Sequence, residues 1–318
     1  MRPRKKWIAM YCTCGVPRLV LITLLIGLAP YDLSADDLDD VALTYNLRYR
    51  DGESKSWVLD LAVPKAPSEK PRPAIVVIHG GGWIEGDKSS FSTPNIRPPG
   101  NTIDFARLGF VAATINYRLA REAPYPAAIH DCKNAVRFLR ANAQKYQIDP
   151  ERIGVWGNSA GGHLALLLGM TNGDASLEGD GPYRDQSSRV HAMVSDSGPI
   201  DLVHQHKTGA LRSVVELLMG GPPDQDRSTA YQQASPSGHV AKQLPPLLLI
   251  YGEADEQVPV ETADRFVVEL SRAGVTDVSY QRLGKAGHCP HSLLRVPYLV
   301  PAVNDFFFRT LRLDTRAK

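Results

Sequence analysis

"GNSAGGHLA", residues 157–165, sets Ser159 between Gly157 and Gly161, with strand-like "RIGVW" (152–156) before it and helix-like "HLALLLGM" (163–170) after it. Glycine at both places suits a sharp strand-to-helix turn that forces the serine outward while the backbone closes on itself. An ordinary glycine-rich connection would use the same residues. Partners elsewhere in the chain decide between the two.

Outward from this stretch, β-type runs recur at residues 41–50, 57–63, 74–80, 109–117, 152–157, 190–196, 247–253 and 278–283. The first two alternate apolar and polar residues, as half-buried antiparallel strands do, and the later ones are continuous apolar runs suited to strands covered on both faces. Helical patterns at 126–146, after Ser159, at 260–274 and at 300–311 separate the later strands. This alternation predicts a three-layer α/β sandwich on a mostly parallel sheet with an antiparallel start. Residues 197–246 form the longest excursion, with one helix expected in "ALRSVVELLMGG", and are read as a small lid insertion between strands 6 and 7.

In an open parallel sheet, chemistry collects beyond the carboxyl ends of the strands. "HGGGW" (79–83) follows the third strand, "GEADEQVP" (252–259) spans the end of the seventh, and "GKAGHCPHS" (284–292) follows the eighth. Consecutive glycines can turn their N–H groups toward one point, which is what a developing oxyanion needs. Gly81, Gly82 and the N–H of Ala160 are the expected donors. Ser159, Asp255 and His288 then stand in the chain order Ser, Asp, His, which excludes the trypsin-like and subtilisin-like orders. Glu253 and Glu256 remain rivals for the acid and His291 for the base. His163, one helical turn past Ser159, reads as a packed histidine, His130 as structural, and His79 as a hydrogen-bonding support for the glycine loop. Trp83 is expected beside the oxyanion site, where its ring would crowd bulky acyl groups. No Cys/His spacing suggests a zinc site.

On these residues the chain resembles the α/β-hydrolase superfamily, and within it the hormone-sensitive-lipase-like esterases that carry "HGGGW". The stretches "GGGWIEGDK", "NYRL", "YPAAIHDCKNAVRFLRANAQKYQIDPERIGVWGNSAGGHLA" and "ASPSGHV" are similar to bacterial secreted bifunctional feruloyl and acetyl-xylan esterases. The resemblance covers roughly residues 55–310. It implies an α/β-hydrolase fold with an eight-stranded sheet, hydrolysis of carboxylic esters and no cofactor. One departure is "GHCPHS", since relatives often carry a small or aromatic residue after the histidine. That leaves the local pocket shape open.

The N-terminus reads differently from the rest. "MRPRKKW" is basic, residues 19–29 are an apolar run, and "LSA" precedes acidic "DDLDD". Residues 1–35 are read as a secretory signal, because the run falls well short of the roughly 20 residues that span a bilayer. An uncleaved anchor is the competing reading. Cleavage would leave residues 36–318 as one α/β-hydrolase domain, secreted or periplasmic, with no stable membrane insertion. It would also turn the net charge from +2 to about −2. A near-neutral chain without basic blocks gives no reason to expect nucleic acid as a partner. Beyond Cys12 and Cys14 in the presumed signal, Cys132 and Cys289 remain; Cys132 reads as a buried thiol, and pairing of the two is left open.

The reading is a serine carboxylic-ester hydrolase acting on a small-molecule or polysaccharide ester, with acetyl esters expected fastest. A serine peptidase of the same superfamily would share the three residues, but such enzymes usually carry a large additional domain. A noncatalytic binding protein on the fold would usually have lost one of them.

Overall fold

Eight of the β-type runs pair into a single sheet. The computed structural model describes residues 38–95, 97–208 and 210–312, so the expected signal segment at 1–35 lies outside the described residues. The strands are β1 (Val41–Arg48), β2 (Val58–Pro64), β3 (Arg72–Ile78), β4 (Val111–Ile115), β5 (Ile148–Asn158), β6 (Ala192–Asp196), β7 (Leu247–Gly252) and β8 (Val278–Leu283). Their order across the sheet is β1-β2-β4-β3-β5-β6-β7-β8. β2 runs antiparallel to both of its neighbours, and every pair from β4 to β8 is parallel.

The helices are α1 (Thr102–Arg107), α2 (Ala127–Ala141), α3 (Ala143–Tyr146), α4 (Ala160–Met170), α5 (Leu202–Thr208), α6 (Arg212–Met219), α7 (Ser228–Gln233), α8 (Val260–Arg272) and α9 (Leu299–Thr310). Alternation along each buried strand divides the core. Val76, Ile78 and Val155 pack with α2, α4 and α8, while Ile75, Val77 and Trp156 pack with Phe105 of α1 and Phe306 and Phe307 of α9. Both faces of the sheet are thus covered, which is why the central strands read as unbroken apolar runs. Every residue of α4 is buried, so its all-round apolar sequence belongs to the centre of the protein.

Three details differ from expectation. The helix expected over 126–146 breaks at Asn142, whose side-chain amide donates to the Phe138 carbonyl at 2.8 Å and competes with the helical ladder. β5 starts at Ile148, four residues early, and a register shift against β3 absorbs the extra residues. The 197–246 segment carries three helices, α5 to α7, where one was expected, each too short to show a clear period. Among the described residues no helix is long and apolar enough to cross a membrane. Cys132 and Cys289 are both buried and unpaired, and burial pushes both thiols well above the usual range.

Candidate active site

The two glycines around Ser159 are required by contact. A Cβ on Gly157 would sit 2.2 Å from the Gly161 carbonyl oxygen, and one on Gly161 would sit 2.0 Å from that of Ile78. No side chain fits at either place, so the turn from β5 into α4 closes only with glycine there. Ser159 itself takes φ 52° and ψ −123°, a strained conformation for a residue with a Cβ, and donates its N–H to the Asp196 carbonyl at 2.8 Å.

His288 lies in the loop after β8. Its Nε2 is 2.9 Å from Ser159 Oγ, and its Nδ1 is 2.7 Å from Asp255 Oδ2. The other oxygen of Asp255 accepts the N–H groups of Gln257 and Val258, each at 2.9 Å. Burial pushes this carboxyl up, but the His288 hydrogen bond and the two backbone donors overcome it and hold the group below its ordinary value. The acid is therefore an anion with one oxygen reserved for the imidazole. Serine, imidazole and carboxylate form one continuous hydrogen-bonded line from three separate strand ends.

The rivals lie elsewhere. Glu253 pairs with Arg282, and Glu256 is exposed. His291 is buried with its ring edge-on to Trp156, and burial pushes it down to about 4. Neither glutamate nor His291 bonds to Ser159 or His288.

The glycine loop is built to leave donors free. Gly81 and Gly82 have φ 102° and 58°, and the Gly81 carbonyl accepts from Ile84 and Glu85 at 3.1 Å. The N–H groups of Gly81, Gly82 and Ala160 have no acceptor among the described residues. His79 supports the loop as expected: its Nδ1 donates to the Gly80 carbonyl at 2.8 Å, and its ring stacks on Tyr117. Asn158 also holds the loop, accepting the Gly80 N–H at 3.0 Å.

Trp83 does not line the site. Its φ of 61° turns the chain so that the ring is 1% exposed, and Nε1 donates to His163 Nδ1 at 3.2 Å. His163 in turn donates Nε2–H to the Ala234 carbonyl at 2.7 Å. The tryptophan is thus a brace from the glycine loop through α4 to the 197–246 segment, and the packed reading of His163 holds. Burial pushes His163 down to about 4, so the neutral ring serves as acceptor on one side and donor on the other.

These groups open on a cleft of about 710 Å³. Leu211 and Val214, from the start of α6, supply apolar wall, and Ser89, Ser90 and Thr93 supply hydroxyls. The hydroxyl-bearing strap is anchored by Lys88, whose ammonium is buried 2.9 Å from Asp60. Val214 approaches the glycine loop: a Cβ on Gly82 would meet its Cγ1 at 3.1 Å. Among the described residues no group of three His, Cys, Asp or Glu side chains could hold a metal ion. Asp196, a buried carboxyl between the serine turn and the histidine loop, carries no motif and is found only in the structure.

A family model described as BD-FAE matches residues 59–270. Esterase LipC of Mycobacterium tuberculosis is 31% identical over 74% of this chain and 58% of its own length. The probable carboxylic ester hydrolase LipM of the same organism is 29% identical over 68% of this chain and 49% of its own. The chain thus spans about half of these curated relatives. Among solved structures, a truncated carbohydrate esterase from gut microbiota superposes with a TM-score of 0.74 at 29% identity, covering 86% of this chain and 97% of that one. A bifunctional GH43-CE protein of Bacteroides eggerthii gives 0.74 at 32% identity, covering 84% and 38%. With well over half its length matched by the family model, and the expected sheet found, the chain belongs to the BD-FAE family of α/β-hydrolases.

Proposed function

We propose that this protein is an exported serine carboxylic-ester hydrolase that removes short acyl groups, acetyl ahead of feruloyl, from carbohydrate. The observation that carries the reading is the Ser159–His288–Asp255 line, at 2.9 and 2.7 Å, beside three backbone N–H groups that have no acceptor among the described residues. A serine hydroxyl is a weak nucleophile near neutral pH, so His288 Nε2 takes its proton as Oγ attacks the ester carbonyl. Asp255 holds the tautomer that leaves Nε2 free and stabilises the imidazolium that forms. The oxyanion settles among the N–H groups of Gly81, Gly82 and Ala160, where one donor is worth about 2.7–4 kcal/mol in enzymes of this chemistry. The imidazolium then protonates the departing alcohol. Water, deprotonated by His288, attacks the acyl-serine and releases the acid and the free hydroxyl.

Preference for a short acyl group rests on Leu211 and Val214 closing from α6 onto the glycine loop, which gives the 197–246 segment the part of a small lid. A sugar as the alcohol is supported by the hydroxyls of Ser89, Ser90 and Thr93 and by the carbohydrate esterase neighbours. Export rests on residues 1–35, whose cleavage N-terminal sequencing of the mature protein would register.

The test is a hydrolysis panel of acetyl, feruloyl and long-chain acyl esters and a peptide, run beside Ser159→Ala. Acetyl esters should go fastest and acyl chains beyond about eight carbons slowest, each unburied CH₂ forfeiting roughly 0.8 kcal/mol. Ser159→Ala should lose nearly all turnover. Palmitoyl preferred over acetyl would overturn the substrate reading, and a Ser159→Ala protein keeping a tenth of wild-type turnover would overturn the site.

A further inference from the structure

Asp196 ends β6, next to the strand that delivers Ser159, and is fully buried. Its main chain holds the nucleophile: the carbonyl accepts the Ser159 N–H at 2.8 Å. Its side chain holds the histidine loop, accepting the Ser292 N–H at 2.9 Å, the Ser292 hydroxyl at 2.7 Å and the His291 N–H at 3.3 Å. The next residue continues the grip, since Ser197 Oγ accepts the Cys289 N–H at 3.1 Å. One strand end therefore touches the serine turn on one side and, on the other, residues 289, 291 and 292, directly after His288. These contacts fall in "CPHS", residues 289–292.

We propose that Asp196 is a positioning residue for ester hydrolysis, its carboxylate fixing the His288 loop against the Ser159 turn and so setting the 2.9 Å contact between nucleophile and base. The inference rests on the reading of Ser159 and His288 as that pair. Asp196 does not reach substrate; it acts through the loop it holds.

The arrangement makes the clamp sensitive to acid. Burial pushes the Asp196 carboxyl up to about 6 against the pull of its Ser292 and His291 donors. Above that pH the anion accepts all three donors. Below it, the carboxylic acid's O–H can find an acceptor among its partners only in the Ser292 hydroxyl, so that contact reverses and all three lose the strengthening a charged acceptor gives. The titratable groups facing it are His288, Cys289, His291 and Tyr251. Burial keeps the Cys289 thiol and the Tyr251 hydroxyl neutral and pushes His291 down to about 4. Falling pH therefore weakens the hold on the loop that carries the base.

The experiment measures kcat and KM for 4-nitrophenyl acetate from pH 4.5 to 8 in wild type, Asp196→Asn and Ser292→Ala. Wild-type kcat/KM should fall more steeply on the acid side than that of Asp196→Asn, by about one proton. Asp196→Asn should lose about ten-fold in kcat at pH 8 while KM changes less than about two-fold, as expected for a displaced base rather than lost binding. Ser292→Ala keeps the carboxyl but removes a donor that lowers its pKa, so its acid limb should move to higher pH. That variant tests the clamp even where Asp196→Asn folds poorly. Wild-type kcat and a wild-type acid limb in Asp196→Asn, or an unmoved limb in Ser292→Ala, would overturn the proposal and leave the esterase reading standing. A wild-type protein that hydrolyses no ester would overturn both.

Discussion

Trp83→Phe separates a brace from a pocket wall. The indole is buried, and its Nε1–H is bonded to His163 Nδ1 at 3.2 Å. Phenylalanine keeps the main-chain bond in which the residue 83 carbonyl accepts the Ala120 N–H at 2.7 Å, so the loop path survives. Losing the side-chain hydrogen bond costs about 1 kcal/mol net, and stranding the buried Nδ1 acceptor adds about 1–2 more. The smaller ring leaves a space worth about another 1 kcal/mol. The expected sum is about 3–4 kcal/mol, and for a domain somewhat above 250 residues this lowers Tm by roughly 6–8 °C. Thermal unfolding followed by circular dichroism reads that shift. The ratio of acetyl to butyryl ester hydrolysis, measured on the same sample, should stay within about two-fold of wild type, since no indole atom bounds the acyl site. In a His163→Ala background the same change should cost about 2–3 kcal/mol less, because its acceptor is already gone. An unshifted Tm together with a widened acyl range would refute the brace and restore the crowding role.

Asp255→Asn should leave weak but measurable hydrolysis and a near-native Tm, because the amide keeps an acceptor yet no longer enforces the His288 tautomer; wild-type turnover in this variant would show another acid to be at work. Stability should fall on the acid side. His163 and His291 are each pushed down to about 4 by burial, so their contribution is complete above the unfolded value of about 6.5 and is lost as pH falls toward 4, about 2–3 kcal/mol each by pH 4.5. Asp196, raised to about 6, acts in the opposite sense, gaining about 2 kcal/mol by pH 4.5. The net expectation is a loss of about 3 kcal/mol between pH 7.5 and 4.5, and urea midpoints that coincide at the two pH values would contradict it.

The strands and the Ser159, Asp255 and His288 positions are legible in the sequence for one reason. Ser159 and Asp255 follow apolar runs and His288 the strand-like "VSYQRL", each with a glycine within three positions, so strand end and chemistry coincide locally. Asp196 also follows an apolar run, but its partners lie about ninety-five positions away and "VSDSGP" has no signature to announce them. The misreading of Trp83 has a different origin: its direction follows from φ 61°, a value that sequence announces only when the residue is glycine. The break at Asn142 is a contest between a side-chain amide and the backbone ladder, which a periodic pattern cannot register. The helices of the 197–246 segment run six to eight residues, too few turns to average out local noise.

The sheet order has a dynamic consequence. Ser159 hangs from β5, paired on both sides near the middle, whereas His288 follows β8, which is paired on one side only and stays partly exposed along most of its length. Openings of small free energy begin at such margins, well below the energy that unfolds the centre. Fraying of β8 would carry the imidazole away while the nucleophile's own turn stayed intact, a protein inert yet still folded by most measures. Its working life under heat would then be set by that margin. Amide hydrogens of Val278–Leu283 would exchange at the rate at which hydrolytic competence is lost, and those of β5 long afterwards.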